Sequence, residues 1–387
     1  MKLLHVIPSL DPACGGTVEG LRQLGTALRE MRHVVDVVTL DLPGMPWLQD
    51  HVFSAVHALG PTRLGYCYTP ALVPWLRNNA AAYDAVMVEG LWQYHGYATW
   101  KALRNSSVPY YVFTHGMLSP WFKKAYPLKH LKKWLYWPWA EYRVLRDARA
   151  VLFTCEEEML MSRHSFWLYR CSEAVVGYGT NRPEGDADYQ RELFLSTFPE
   201  LRDKRIFLFL SRIHEKKGCD LLIKAFADVA DRDESLRLVM AGPDQTGWRK
   251  ELEELAGHMG IADRMIWTGM VSGDVKWGAY SAAEVFVLPS HQENFGVVVA
   301  EALSRNLPVL ISNQVNIWRE VQEAGAGVVE DDTLSGTIAL LEKWLALAPA
   351  RQAEMRVNAL RCYENNFDMK GAVNRLLKLV NARGDTE

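Results

Sequence analysis

The chain has 387 residues, more than one compact core of ordinary size, so two domains are expected. With 49% hydrophobic and 23% charged residues it has the make-up of a globular protein, and a formal net charge of −3 argues against a general nucleic-acid binder. The six cysteines, at 14, 67, 155, 171, 219 and 362, follow neither CxxC nor metal-ligand spacing and read as reduced thiols of a cytoplasmic protein.

Taken in chain order, "MKLLHVIPSLDP" is apolar over too few residues for a secretory segment and reads as a first strand. No apolar run approaches the ~20 residues needed to span a membrane. The runs "LLHVI", "VVDVVTL", "DAVMVEG", "YYVFTHG" and "AVLFTCE" mark strands in the first half; "RIFLFLSR", "LRLVMAGP", "RMIWTG", "AEVFVLPS" and "LPVLIS" mark the second. Apolar runs without polar alternation are strands covered on both faces, and their regular exchange with helical patterns predicts parallel sheets. The predicted fold class is α/β, with two Rossmann-like, doubly wound domains facing across a cleft. Between about 176 and 202, "GYGTNRPEGDADYQ" lacks an apolar period and is taken as the linker. The expected domains are 1–180 and 181–365, with a terminal helix in 366–387 that crosses back to brace the first.

In the first domain, Gly15 and Gly16 join a strand to a helix, where the missing Cβ lets a diphosphate or an acceptor approach the backbone. The spacing is not GxGxxG, so a dinucleotide fingerprint is absent. A tight turn with no ligand is the plain alternative. His115 ends the strand "YYVFTHG" at the sheet's carboxyl edge, a position that suits a group holding a transferred sugar or a departing charge. The segment 121–146 carries Lys123, Lys124, Lys129, Lys132, Lys133, Arg143 and Arg146 against one acid, Glu141, interleaved with Trp and Tyr. Two readings stay open: the segment docks on the cytoplasmic membrane face, or its aromatics pack inside while the lysines meet water.

In the second domain, "FLFLSRIHEKKGCDLLIKAF" places Arg212 and Lys217 on a strand-to-helix loop, where two cations can clamp a diphosphate. A later strand, "AEVFVLPS", leads through "HQEN" into a helix expected from about Phe295, with Gly296 permitting close approach. The free N–H groups of that helix start suit a phosphate. Glu293 stands at the mouth, able to hold sugar hydroxyls. Glu301 falls two turns inside an apolar face, a costly place unless something hydrogen-bonds it, and a ribose diol would do so.

The stretches "SRIHEKKGCDLLIKAF", "AGPD", "WTGMV" and "PSHQENFGVVVAEALSRNLPVLIS" resemble the second domain of the family-4 retaining glycosyltransferases, which have the GT-B fold. The resemblance implies that Arg212 and Lys217 bind the donor diphosphate, together with the backbone of Phe295, Gly296 and Val297. It gives Glu293 the donor sugar, Glu301 the ribose, and Gly242, Gly269, Met270 and Val271 the nucleobase pocket. It extends to the Gly15–Gly16 loop as a diphosphate contact and to His115, which resembles the "HG" of transferases acting on exopolysaccharide chains.

A hexosyltransferase is therefore expected, moving sugar from a nucleoside diphosphate to a glycan hydroxyl on a polyprenyl-diphosphate-linked acceptor, with retention. No metal or other cofactor is required by this design, because the cations neutralise the diphosphate. The strings "DAD" (186–188) and "DRD" (231–233) are read as chance. A phosphorylase would need a cofactor lysine that no context selects; an epimerase would show itself in the products from donor alone. A non-catalytic nucleotide-sugar-binding scaffold would bind donor without transfer. One departure stands out: "VVGYGTNRPEG" (175–185) replaces the family's NG(V/I) turn, which leaves the hinge and one donor contact open.

Overall fold

The structure, a computed structural model, describes residues 1–382 apart from Asp50 and Leu64 and the side chain of Lys124. Lys124 as a cation and the last five residues of the expected terminal helix thus lie outside the described residues. The chain divides into two compact units, one formed by 1–181 with the helix that starts at Met369, the other by 182–368.

The first unit holds a seven-stranded sheet in the order β3-β2-β1-β4-β5-β6-β7. Its strands are β1 (Lys2–Ile7), β2 (Val34–Thr39), β3 (Ala55–Ala58), β4 (Ala85–Glu89), β5 (Tyr110–Phe113), β6 (Ala150–Phe153) and β7 (Glu173–Val175). The second unit has six, in the order β10-β9-β8-β11-β12-β13: β8 (Arg205–Leu210), β9 (Leu236–Ala241), β10 (Met265–Gly269), β11 (Val285–Leu288), β12 (Val309–Ser312) and β13 (Gly327–Glu330). Every pairing is parallel. Central strands are fully buried, which is why their sequences are unbroken apolar runs.

Three strands escape the sequence reading. β3, β7 and β13 have three or four residues each and are at best half-buried. They lie at the rims of their sheets, where one-sided burial leaves no apolar run to read.

The expected linker is also corrected. Val176, Tyr178 and Thr180 are buried and belong to the first unit. Residues Ala187–Thr197 then form a helix capped by the Asp186 side chain. It buries Gln190, Phe194 and Leu195 against the helix Gly273–Ala282. The approach is close enough that a Cβ on Gly278 would sit 2.0 Å from the carbonyl oxygen of Gln190. A glutamine on the buried face broke the apolar period; its amide is satisfied by Glu184 O and Asp274 Oδ1, at 2.9 and 2.7 Å.

The final helix, Met369–Ala382, places Met369, Val373, Leu376 and Leu377 in the core of the first unit with Leu3, Leu21 and Val35. Arg375 Nε donates to Val176 O at 2.8 Å, tying it to the end of β7. No helix among the described residues is long and apolar enough to cross a membrane.

Candidate active site

In the second sheet the strand order reverses between β8 and β11, and the loops after these two strands meet. Doubly wound sheets hold ligands at such a switch point, beyond the carboxyl ends of the strands. The β8 loop carries Arg212 and Lys217 and turns into the helix Cys219–Ala230 through Gly218, at φ 66°. The β11 loop carries Glu293, whose backbone N–H donates to Gln314 O at 3.0 Å. Lys217 Nζ pairs with Glu293 Oε2, so the two loops are joined by a cation and an acid. Arg212 is exposed and donates to Gln245 Oε1 at 3.2 Å. Burial, then the charges of Lys217 and Arg212, push the Lys216 ammonium below its ordinary value. A half-buried ammonium crowded by two further cations is a place that favours an anion.

The helix expected near Phe295 starts at Val297 and runs to Ser304, with Gly296 as its cap at φ 76°. Only a residue tolerant of the left-handed region fits there, and it leaves the first N–H groups of the helix without a side-chain cap. The Phe295 ring is buried against Phe367, with centroids 5.6 Å apart, which takes the side chain out of reach of a ligand.

Glu301 is 3% exposed, and the structure shows what satisfies it. Lys276 Nζ lies 2.6 Å from Oε1 and Tyr280 OH donates to Oε2 at 2.9 Å. The inference from burial to a ribose therefore loses its force, since protein groups already meet both oxygens. Burial and the neighbouring carboxylate raise the Tyr280 hydroxyl well above its usual range. Sequence reasoning missed both partners, which lie 25 and 21 residues upstream.

Gly242 follows β9 and Gly269 ends the adjacent β10; Gly242 N donates to Gly269 O at 2.8 Å. A Cβ on Gly242 would meet Ser211 O at 1.9 Å, while one on Gly269 meets nothing within 4 Å. Met270 is 76% exposed and Val271 half-buried, on the turn that follows β10. Asp244 spends its carboxylate on the backbone N–H groups of Thr246, Gly247, Trp248 and Arg249, a structural task. The two D-x-D strings are likewise occupied: Asp186 caps a helix, and Asp233 accepts from Arg205 and Ser235.

In the first unit, β1, β4 and β5 deliver their chemistry to one edge of the sheet. Gly15, at φ 77°, caps the helix Gly16–Glu30, and a Cβ on either glycine would meet nothing within 4 Å. His115 follows β5 at φ 46° and stacks on Phe113. Its Nε2 lies 2.6 Å from Glu89 Oε2, and Glu89 Oε1 lies 2.6 Å from Nδ1 of His5. Burial would raise the Glu89 carboxyl, but the hydrogen bonds to His115 and His5 outweigh it and hold it at about 2. Beneath this group, buried Glu158 accepts from Thr114 Oγ1 and Gly116 N, both at 2.6 Å, and fixes the His115 turn. Sequence reading passed over Glu89; the signal was an acid closing the apolar run "DAVMVEG".

The segment 121–146 divides. Trp137 is fully buried, and Lys133 lies over the Trp92 ring, 4.6 Å from its centre. Glu141 is buried too: Oε1 accepts from Trp92 N at 2.6 Å, Oε2 has no partner among the described residues, and burial raises the acid to about 7. Leu128, Leu131, Trp134, Leu135 and Trp139 remain 43–83% exposed.

Fold and site together define a two-domain, doubly wound α/β protein with a cation–acid pair and an uncapped helix start at a switch point. Residues 193–360 match the family described as glycosyl transferases group 1, and residues 15–165 match a glycosyl transferase 4-like domain. The chain belongs to these glycosyltransferases and has the GT-B fold. Among curated relatives, an alpha-D-kanosaminyltransferase of Streptomyces kanamyceticus is 29% identical over 192 residues, 49% of either chain. A D-inositol 3-phosphate glycosyltransferase of Thermomonospora curvata is 30% identical over 48% of this chain and 44% of its own. The chain thus spans about half the length of the curated relatives it matches. Among solved structures, sucrose-phosphate synthase from Thermosynechococcus elongatus aligns over 100% of both chains with TM-score 0.79 and 21% identity. Anabaena HepE in complex with UDP aligns over 99% of this chain and 100% of its own, with TM-score 0.78 and 17% identity.

Proposed function

We propose that the protein transfers a glycosyl unit from a nucleoside-diphosphate sugar to a hydroxyl of a glycan, with retention at the anomeric carbon. The observation that carries this is the Lys217–Glu293 pair at the switch point beside the Gly296-capped helix. Glu293 is the one hydrogen-bond partner of the Lys217 ammonium among the described residues, so further N–H donors can serve a phosphate. Breaking the bond between C1 and the phosphate oxygen builds negative charge, which Lys217, Arg212 and the N–H groups after Gly296 stabilise. The acceptor oxygen then bonds C1 from the same face, and its proton passes to the departing phosphate. Glu293 holds hydroxyls of the transferring sugar, Glu301 faces the nucleoside, and His115 serves the sugar. HepE has been solved with UDP and with UDP-glucose, which supports a nucleotide-sugar donor here. Thermal-shift screening against UDP-, GDP- and ADP-sugars, followed by product analysis, tests the reading. Stabilisation by none of them would sink it.

A lipid-linked acceptor is favoured by the exposed apolar stripe on the helix Pro127–Tyr136, where Leu128, Leu131 and Leu135 share one face. Trp134 lies beside Trp167, centroids 5.9 Å apart, and Trp167 and Leu168 extend the stripe. We assign this surface to anionic bilayers, where exposed Lys129 and Lys132 add attraction of about 1 kcal/mol each. Replacing Leu131 and Leu135 by aspartate is expected to lower co-sedimentation with anionic vesicles at least tenfold. Binding that ignores both the substitutions and the anionic lipid would count against the assignment.

A further inference from the structure

We propose that Glu89 is a positioning residue that holds His115 as the Nε2–H tautomer, leaving Nδ1 as the acceptor for a sugar hydroxyl. The shared carboxylate requires a proton on Nε2 of His115. An ionised carboxylate only accepts, so each imidazole nitrogen within hydrogen-bond reach of it must carry the proton. Nδ1 of His5 is therefore a donor. Its Nε2 is buried without a partner among the described residues, and a second N–H there would be stranded, so His5 is the neutral ring. The charge of Glu89 then remains directed at Nε2–H of His115.

The rest of the histidine is held in place. Its ring stacks on Phe113 at 5.6 Å and meets Tyr178 edge-on at 6.1 Å, and Glu158 pins the residues on both sides of it. Nδ1 is the ring's one nitrogen without a partner among the described residues. As a lone pair it accepts from a hydroxyl and cannot donate to a phosphate, which separates two roles open to this residue. The hydroxyl rests on the proposed function; the tautomer does not.

The experiment is nitrogen NMR of the full chain with labelled histidine, His115→Gln supplying the assignment. A bare Nδ1 and a protonated Nε2 on His115 are expected in the wild-type protein. A protonated Nδ1, or rapid averaging of the tautomers, would overturn the proposal whether or not the Glu89 variants fold. Glu89→Gln, whose amide can accept or donate, is expected to mix the tautomers and lower kcat at least tenfold with KM changed less than threefold. Glu89→Asp, which keeps the charge, should recover part of both. The expected tautomer with unaltered kcat in Glu89→Gln would remove the positioning role. Failure of every donor to bind would sink the proposed function and the hydroxyl, and leave the tautomer standing.

Discussion

Replacing Glu293 by alanine is expected to lower turnover by about 10²–10³-fold while donor affinity stays within a few-fold of the native value. The asymmetry follows from where this acid sits. It contacts Lys217 and stands at the start of the Gly296-capped helix, so under the proposed function it would set the position of a cation aimed at charge that develops only as the bond breaks. Ground-state binding of the diphosphate gains from losing a competing anion, which offsets lost contacts to the sugar. Initial rates and donor dissociation constants for the two proteins decide the matter. Equal turnover would take Glu293 out of the mechanism, and a loss confined to affinity would make it a binding group only.

Glu301→Ala is expected to cost about 3 kcal/mol of stability, read as a shift in denaturant midpoint at unchanged slope. The cost comes from what stays behind. The Tyr280 hydroxyl is buried and would lose its acceptor, whereas Lys276, partly exposed, can turn to water. The same variant separates structure from recognition. If Glu301 also holds a ribose, binding of a nucleoside diphosphate should weaken at least tenfold while binding of inorganic pyrophosphate holds. Parallel losses for both ligands would make Glu301 a core residue alone.

The grouping of these residues in the second unit was legible because their spacing is local. Arg212, Lys217, Gly296 and Glu293 each follow an apolar strand by a few residues, and strand ends of a parallel sheet share an edge. Partners that arrive from elsewhere were not legible. Nothing near Glu301 announces Lys276 or Tyr280, and nothing near His115 announces His5. Burial pattern made the central strands readable and hid β3, β7 and β13, whose half-covered residues carry no continuous apolar signal. The helix over 187–197 was lost because Gln190 fills a core position that its hydrogen bonds to Glu184, Asp274 and Arg305 make tolerable.

The helix Met369–Ala382 sets how this molecule can be made and divided. Its apolar side completes a core whose other members lie within 1–176, so the first unit closes only after all of the second has been synthesised. A fragment cut after residue 181 would carry a bare greasy flank, whereas the stretch 182–368 can be lifted out as one continuous piece.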